Sequence, residues 1–380
     1  MTKNSDIGSQ SAAFYPLQLS GHLPILKKRS FILKPLQPKE YRFYNDLSKH
    51  TKLLQYIPTF YGVTHLLEHA TIQEENAPFT TSFSFALAQR EVSLSRPYIV
   101  LQDVSSGFVN PCMLDLKLGF TQIDDETPPE KLATQQAKCE KSTSSAIGIR
   151  IGGIFARFYE NESDSKSDQV VYRNKYWGRM LTPLLLKQAL FSFLHNGIVF
   201  HAEICKSILH QLIEIRDSYI KESSIILIGV SLLILYDFPQ ILCSSSSSSV
   251  NSSSACTKVR LIDFGSSSHR NHSETENSTG FFEGISFIID TLQSFLEQVE
   301  GKTVTFPILW GSEEDTKMRL ASESELHAVQ EKKIERREKR AKDAALHSKS
   351  QSDSDFSSES AYVQSSWRIV PLSLAMKYPT

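Results

Sequence analysis

Residues 111–119, PCMLDLKLG, read as a strand that places Asp115 and Lys117 two residues apart. Side chains two apart on a strand share a face. An acid and a base on one face can engage different parts of a polar, phosphorylated ligand, or can form an exposed ion pair. A second candidate is Leu261-Ile262-Asp263-Phe264-Gly265, an apolar strand delivering one carboxylate to its end. Mg²⁺ takes one or two carboxylates plus substrate phosphates, so Asp263 suits a metal bound together with a phosphorylated ligand. The alternative is an aspartate that caps a turn. Lys34 sits among apolar residues in FILKPL, and Glu40 follows six residues later. A lysine–glutamate pair of this kind holds nucleotide phosphates in phosphoryl-transfer sites. A lysine there can equally snorkel to solvent.

Several elements must bring these groups together. RSFILKPL has strand character, and PKEYRFYNDLSKH has helix character. Residues 97–102, PYIVLQ, read as a central strand leading over a short polar link to CMLDLKLG. From 129 to 145 the pattern is helical, with Lys131, Lys138 and Lys141 broadly on one face. A strand is expected over 146–159 and a loop over 160–169. Helices follow at 182–196 and 199–219, a buried strand or strand pair at 225–236, a strand at KVRLIDFG, and an amphipathic helix at 281–298. The pattern predicts a flexible N-terminus (1–19), a small β-rich lobe (20–103), a hinge, and a larger lobe (104–310). The Ser-rich insert at 243–255 can bury nothing. Residues 311–365 are charged and Ser-rich and read as a disordered tail, although EKKIERREKRAKDAALH could form a solvated helix. The apolar segment 366–380 can dock on the body.

Composition narrows the classes. The 380 residues carry a formal net charge of -1, so no global basic field marks a nucleic-acid binder, and an anionic ligand needs a local basic pocket. The cysteines lie far apart without a CxxC pair, which favours neither a disulfide framework nor a zinc site. The apolar run IILIGVSLLILY is too short to span a bilayer. The polar opening MTKNSDIGSQSAA lacks the apolar stretch of a secretory signal, so an intracellular protein, cytoplasmic or nuclear, is expected. A protein kinase is disfavoured. No GxGxxG precedes Lys34, and Glu222 stands where the asparagine should follow Arg216-Asp217. No GxxxxGK[ST] phosphate loop is present either.

PCMLDLKLG resembles the PxxxDxKxG signature of the inositol polyphosphate kinase family, and its neighbours follow in the family's order. Upstream stand SGHLPILKKRSFILKPLQPKEYRFYNDL, YIPTFYGV and YIVLQDV; downstream stand NKYWGR, FLHNG, VSLLILYDF and VRLIDFG. The likeness spans roughly residues 20 to 298. Within the family, KLATQQAKCEKSTSSAIGIRIGG is similar to the inositol hexakisphosphate kinases. The resemblance implies a two-lobed α/β (α+β) kinase, remotely like protein kinases, with ATP in the cleft and Mg²⁺ as cofactor. It implies that Lys34 holds ATP phosphates, that Glu40 orients Lys34, and that Gln102 and Val104 bind adenine through backbone groups. Asp115 takes the ribose hydroxyls, Lys117 contacts the inositol phosphate or the phosphoryl in flight, Asp263 binds Mg²⁺, and Ser231 sits near the metal. Lys131, Lys138, Lys141 and Arg150, with Lys175 and Arg179 behind them, are candidates for the ring phosphates. The implied reaction moves the γ-phosphoryl of ATP to inositol hexakisphosphate, giving a diphosphoinositol pentakisphosphate, in a monomer without nucleic-acid partner. Two rivals are a kinase of lower inositol phosphates and an inactive inositol-phosphate-binding pseudokinase. Gln102 and Val230 depart from the family's hinge glutamate and first serine of Ser-Ser-Leu-Leu.

Overall fold

A computed structural model describes residues 12–15, 17–19, 24–47, 52–65, 72–73, 97–124, 126–160, 168–222, 225–239, 257–269, 280–301 and 306–347. The first sheet contains β1 (Ala12–Phe14), β2 (Leu26–Lys28), β3 (Phe31–Pro35), β4 (Phe60–His65), β5 (Ile72–Gln73) and β6 (Pro97–Gln102), in the order β4-β6-β3-β2-β1-β5. β1 and β5 pair in parallel; the other neighbours are antiparallel. In β3 the side chains alternate, so Phe31 and Leu33 are buried while Ile32 and Lys34 look into a cleft. Helix α1 (Pro38–Asp46) begins on a proline, whose missing N–H costs nothing in the first turn, and buries Glu40, Tyr41, Phe43 and Tyr44.

The second sheet is antiparallel, in the order β12-β11-β7-β8-β9. Its strands are β7 (Pro111–Leu118), β8 (Ile149–Phe158), β9 (Gln169–Arg173), β11 (Ser231–Asp237) and β12 (Thr257–Ile262), while β10 (Ile225–Ile226) and β13 (Ser268–His269) form a separate ribbon. β11 is buried at six consecutive positions, which is why SLLILY reads as a continuous apolar run rather than an alternating one. The helices are α2 (Pro129–Glu140), α3 (Ser144–Ile147), α4 (Lys175–Met180), α5 (Pro183–Phe193), α6 (Ala202–Ile220), α7 (Phe281–Glu300) and α8 (Glu313–His347). The main core joins β7, β8 and β11 to α5, α6 and α7 through Leu116, Ile151, Leu232, Phe193, Leu212 and Phe295. Among the described residues no helix is long and apolar enough to cross a membrane.

The apolar run 225–236 takes the two-strand alternative, broken where Gly229 turns with φ +63°. Three expectations change. The helix expected over 129–145 stops at Glu140 and restarts at Ser144. Residues 12–15 and 17–19 are not a flexible end: β1 pairs with β2, and Phe14 and Leu19 are buried. The tail is ordered over residues 313–347 as α8, because Asp315 is buried against the body. The Ser-rich insert and residues 348–380 lie outside the described residues.

Candidate active site

Strand register builds the site. Ser231 of β11 stands opposite Ile262 on one side and Lys117 on the other, and Lys117 stands opposite Arg150 of β8. Asp263 follows Ile262 directly, so one row across the sheet gathers Asp263, Ser231, Lys117 and Arg150. The adjoining row sets Asp115 between Leu233 and Gly153. Asp115 is buried, and a Cβ on Gly152 would meet its Cγ at 2.9 Å, so glycine there makes the room for the carboxylate.

Asp263 adopts φ +67°, a conformation uncommon outside glycine. The turn presents both carboxylate oxygens to lysines from different sheets. Lys34 Nζ donates to Oδ1 at 2.6 Å, and Lys117 Nζ donates to Oδ2 at 2.6 Å. Lys34 also donates to Glu40 Oε1 at 2.7 Å. Phe264 stacks on Phe43 with ring centroids 4.4 Å apart, a contact worth about 0.5–1.5 kcal/mol beyond area burial. It ties the turn to α1, which carries Glu40. Burial opposes the charged form of Asp263, but Lys117 and Lys34 overcome it and hold the carboxyl well below the usual range. Burial likewise opposes charge on Lys34, and Asp263 with Glu40 reverses this and raises its pKa. Burial raises the Tyr44 hydroxyl, reinforced by Glu40 and Asp263.

These groups line a cleft of about 380 Å³. One part is the hinge after β6. Asp103 is buried and accepts from Ser105 N at 2.9 Å and Ser105 Oγ at 2.7 Å, with Lys27 Nζ at 3.3 Å. Val104 lends its carbonyl to Lys258 Nζ at 3.2 Å, while its N–H has no partner among the described residues. Leu19, Val104, Met113 and Leu233 make an apolar wall beside it. Another part of the lining is cationic: Lys138, Arg150, Lys175 and Arg179. Burial and then Arg179 lower the Lys138 pKa. Burial, followed by Arg179, Lys333, Lys138 and Lys117, lowers Lys175 to about 8. Arg150 donates to Ser144 Oγ at 2.8 Å, and Arg179 Nε is buried with no hydrogen-bond partner among the described residues. Four cations gathered on one part of the cleft suit a ligand that brings several negative charges.

Among the described residues no cluster of three or more His, Cys, Asp or Glu can hold a metal ion. The donor set instead fits a cation carried in with phosphates on the one carboxylate of Asp263, with Ser231 in the adjoining register position but beneath the cleft surface.

Lys34, Glu40, Gln102, Val104, Asp115, Lys117, Lys138, Arg150 and Asp263 all line the cleft. Three expected residues do not. Ser231 is fully buried beneath the surface, and Gly229 takes its place in the lining. Lys131 is exposed two turns before Lys138, and Lys141 caps the end of α2, off its helical face. Sequence reasoning misses Tyr15, Gln18, Tyr44, Gln122 and Gln135, which also line the cleft. The doublet Gly152-Gly153 inside an apolar strand was the available signal for the seat of Asp115.

The family model for inositol polyphosphate kinase matches residues 98–295, about half of the chain. Inositol hexakisphosphate kinase 2 of Oryctolagus cuniculus is 30% identical over 226 residues, covering 53% of this chain and 52% of that protein. Inositol hexakisphosphate kinase 3 of Mus musculus is 34% identical over 209 residues, covering 53% of this chain and 51% of that protein. The chain thus spans about half the length of the curated relatives it matches. An inositol phosphate multikinase from S. cerevisiae, solved with ADP and Mn²⁺, superposes with a TM-score of 0.51 at 23% identity, over 70% of this chain and 99% of that one. That likeness bears on the fold alone. Register, cleft and family match agree, and the chain belongs to the inositol polyphosphate kinase family.

Proposed function

We propose that the chain is an ATP-dependent inositol polyphosphate kinase that phosphorylates inositol hexakisphosphate to a diphosphoinositol pentakisphosphate. One observation carries the reading: Asp263 is shared by Lys34 and Lys117 at 2.6 Å each, in a cleft lined on its other parts by a hinge and by four further cations. The hexakisphosphate kinases among the relatives support the choice of acceptor.

ATP would lie with its adenine against Leu19, Val104, Met113 and Leu233, its N1 accepting from the Val104 N–H and its exocyclic amine donating to the Gln102 carbonyl. Asp115 would accept from the ribose hydroxyls. Lys34, held by Glu40, would pair with the phosphates. Asp263 would hold Mg²⁺, which when bound would supply neutralisation of the charge developing on the phosphates. Lys34 and Lys117 would then exchange their contacts to Asp263 for phosphate oxygens. Lys117, between Asp263 and the cationic cluster, would stabilise the phosphoryl in flight.

The acceptor end favours a phosphate nucleophile. Lys138, Arg150, Lys175 and Arg179 supply charge there, while Glu40 and Asp263 are already held by lysines. A phosphate acceptor is already deprotonated, so positioning and neutralisation suffice and no general base is required. Incubation with Mg-ATP and a panel of inositol phosphates, read by phosphorus NMR, tests the reading. A new β-phosphate doublet from inositol hexakisphosphate is expected. Product from trisphosphates alone would transfer the chain to the multikinase-like reading, and no transfer to any of them would leave an inositol-phosphate-binding pseudokinase.

A further inference from the structure

Residues 12–15 and 17–19 precede the family match, which starts at residue 98, yet they fold onto the nucleotide end of the cleft. Tyr15, Leu17, Gln18 and Leu19 all line it. Tyr15 N donates to Ile25 O at 2.9 Å, and Ile25 N donates to Gln18 Oε1 at 2.9 Å. The segment reaches both sheets. Its β1 belongs to the first, while Leu19 lies on β8 of the second, where a Cβ on Gly153 would stand 2.8 Å from the Leu19 carbonyl oxygen. Glycine there permits the close approach of the two backbones. Leu19 shares one apolar cluster with Val104, Met113 and Leu233, so the segment closes the wall on which adenine is placed above.

The hydroxyl of Tyr15 is tied to the hinge. It donates to Ser105 Oγ at 2.9 Å and lies 3.3 Å from Asp103 Oδ1. Ser105 Oγ in turn donates to Asp103 Oδ1 at 2.7 Å, and Ser105 N donates to the same oxygen at 2.9 Å. An aspartate that accepts from the N–H two residues on fixes the turn between them, and the residue between these two is Val104. Ser106 N closes the turn further by donating to the Asp103 carbonyl at 3.1 Å, and Asp103 N donates to Ser30 O at 2.9 Å. Asp103 and Ser105 are both buried, so water cannot readily replace the Tyr15 hydroxyl. Burial and then the Asp103 charge push that hydroxyl above its usual range, which keeps it a donor. Val104 is thus bracketed by two residues in contact with Tyr15, and its N–H is the group assigned to adenine.

We infer that Tyr15 is a positioning residue for the nucleotide: through Ser105 and Asp103 it holds the Val104 N–H where adenine N1 meets it. The inference rests on the kinase reading given above. It is tested in the full chain with Tyr15→Phe, which keeps the ring, with Ser105→Ala, which removes the link, and with the double variant. The readouts are calorimetric binding of Mg-ADP and of Mg-inosine diphosphate, whose protonated N1 cannot accept from Val104, and the steady-state constants for ATP and acceptor. Tyr15→Phe should weaken ADP binding and raise the KM for ATP by roughly three- to tenfold, with kcat and the KM for the acceptor unchanged. Binding of inosine diphosphate should hardly move, so the preference for adenine narrows. Ser105→Ala should do the same, and the double variant should lose no more than the larger single change, because both act on one network. Equal weakening of both nucleotides in Tyr15→Phe, as general loosening would give, overturns the inference, and so do additive losses or wild-type affinity for ADP. A wild-type chain that binds no adenine nucleotide overturns the kinase reading beneath it instead.

Discussion

Substituting Asp315 tests how α8 is held. The carboxylate accepts four hydrogen bonds, two from a single buried guanidinium, and Arg173 has no other carboxylate partner among the described residues. Asp315→Asn keeps the shape but removes the charge and turns one oxygen into a donor facing Arg173. Breaking a buried ion pair from one side costs about 3–5 kcal/mol, because the remaining charge stays buried and uncompensated. That corresponds to roughly a hundred- to several-thousandfold in the docking or folding equilibrium. The assay is urea denaturation followed by two signals, far-ultraviolet circular dichroism for the whole chain and tryptophan fluorescence. Trp177 bonds to Asp315, and Trp310 lies 6.2 Å from Trp177 between ring centroids, so two of the three tryptophans report on the docking site. In Asp315→Asn the fluorescence midpoint should fall well below the wild-type value and ahead of the dichroism midpoint, because α8 lets go first. The double substitution Arg173→Met with Asp315→Leu should recover most of the loss, since no unpaired charge remains. Overlaying fluorescence curves for wild type and Asp315→Asn would refute the anchoring argument.

Two further expectations follow from the site. Gly152→Ala places a methyl group 2.9 Å from Asp115 Cγ, so the carboxylate must shift; the KM for ATP should rise several-fold, on the order of 1 kcal/mol of lost contact, with little change in thermal midpoint. Asp263 has a depressed folded-state pKa, so its contribution to stability is present above the unfolded carboxylate value and is lost as pH falls. Urea midpoints of wild type should therefore drop more steeply below about pH 4 than those of Asp263→Asn, whose amide does not titrate.

Local pattern and long-range assembly were legible to different degrees. The two-residue spacing of Asp115 and Lys117 placed both on one face of β7, and both line the cleft. Lys34 and Glu40 were readable as a pair because a strand and a helix start only a few residues apart. The contact of both lysines with Asp263 depends on pairings across 146 and 229 residues, which no local pattern specifies. Ser231 was misplaced because the face of a strand can be read from spacing, whereas depth below the surface cannot. In the sequence Lys131, Lys138 and Lys141 fall broadly on one helical face, but α2 ends at Glu140, before Lys141, and of the three only Lys138 lines the cleft. The C-terminal half of α8 was readable as a solvated helix, whereas its docked first half was not, because it begins on an aspartate. Only the distant partners Arg173 and Trp177 make that residue a core position.

The central claim is that Asp263, released from its two lysines, receives a metal together with nucleotide phosphates. Calorimetric titration of ATP with and without Mg²⁺, in wild type and in Asp263→Asn, addresses it most directly. The account predicts that Mg²⁺ tightens ATP binding to the wild-type chain at least tenfold, about 1.4 kcal/mol, and has no such effect on Asp263→Asn. Equal metal dependence in both proteins would contradict it.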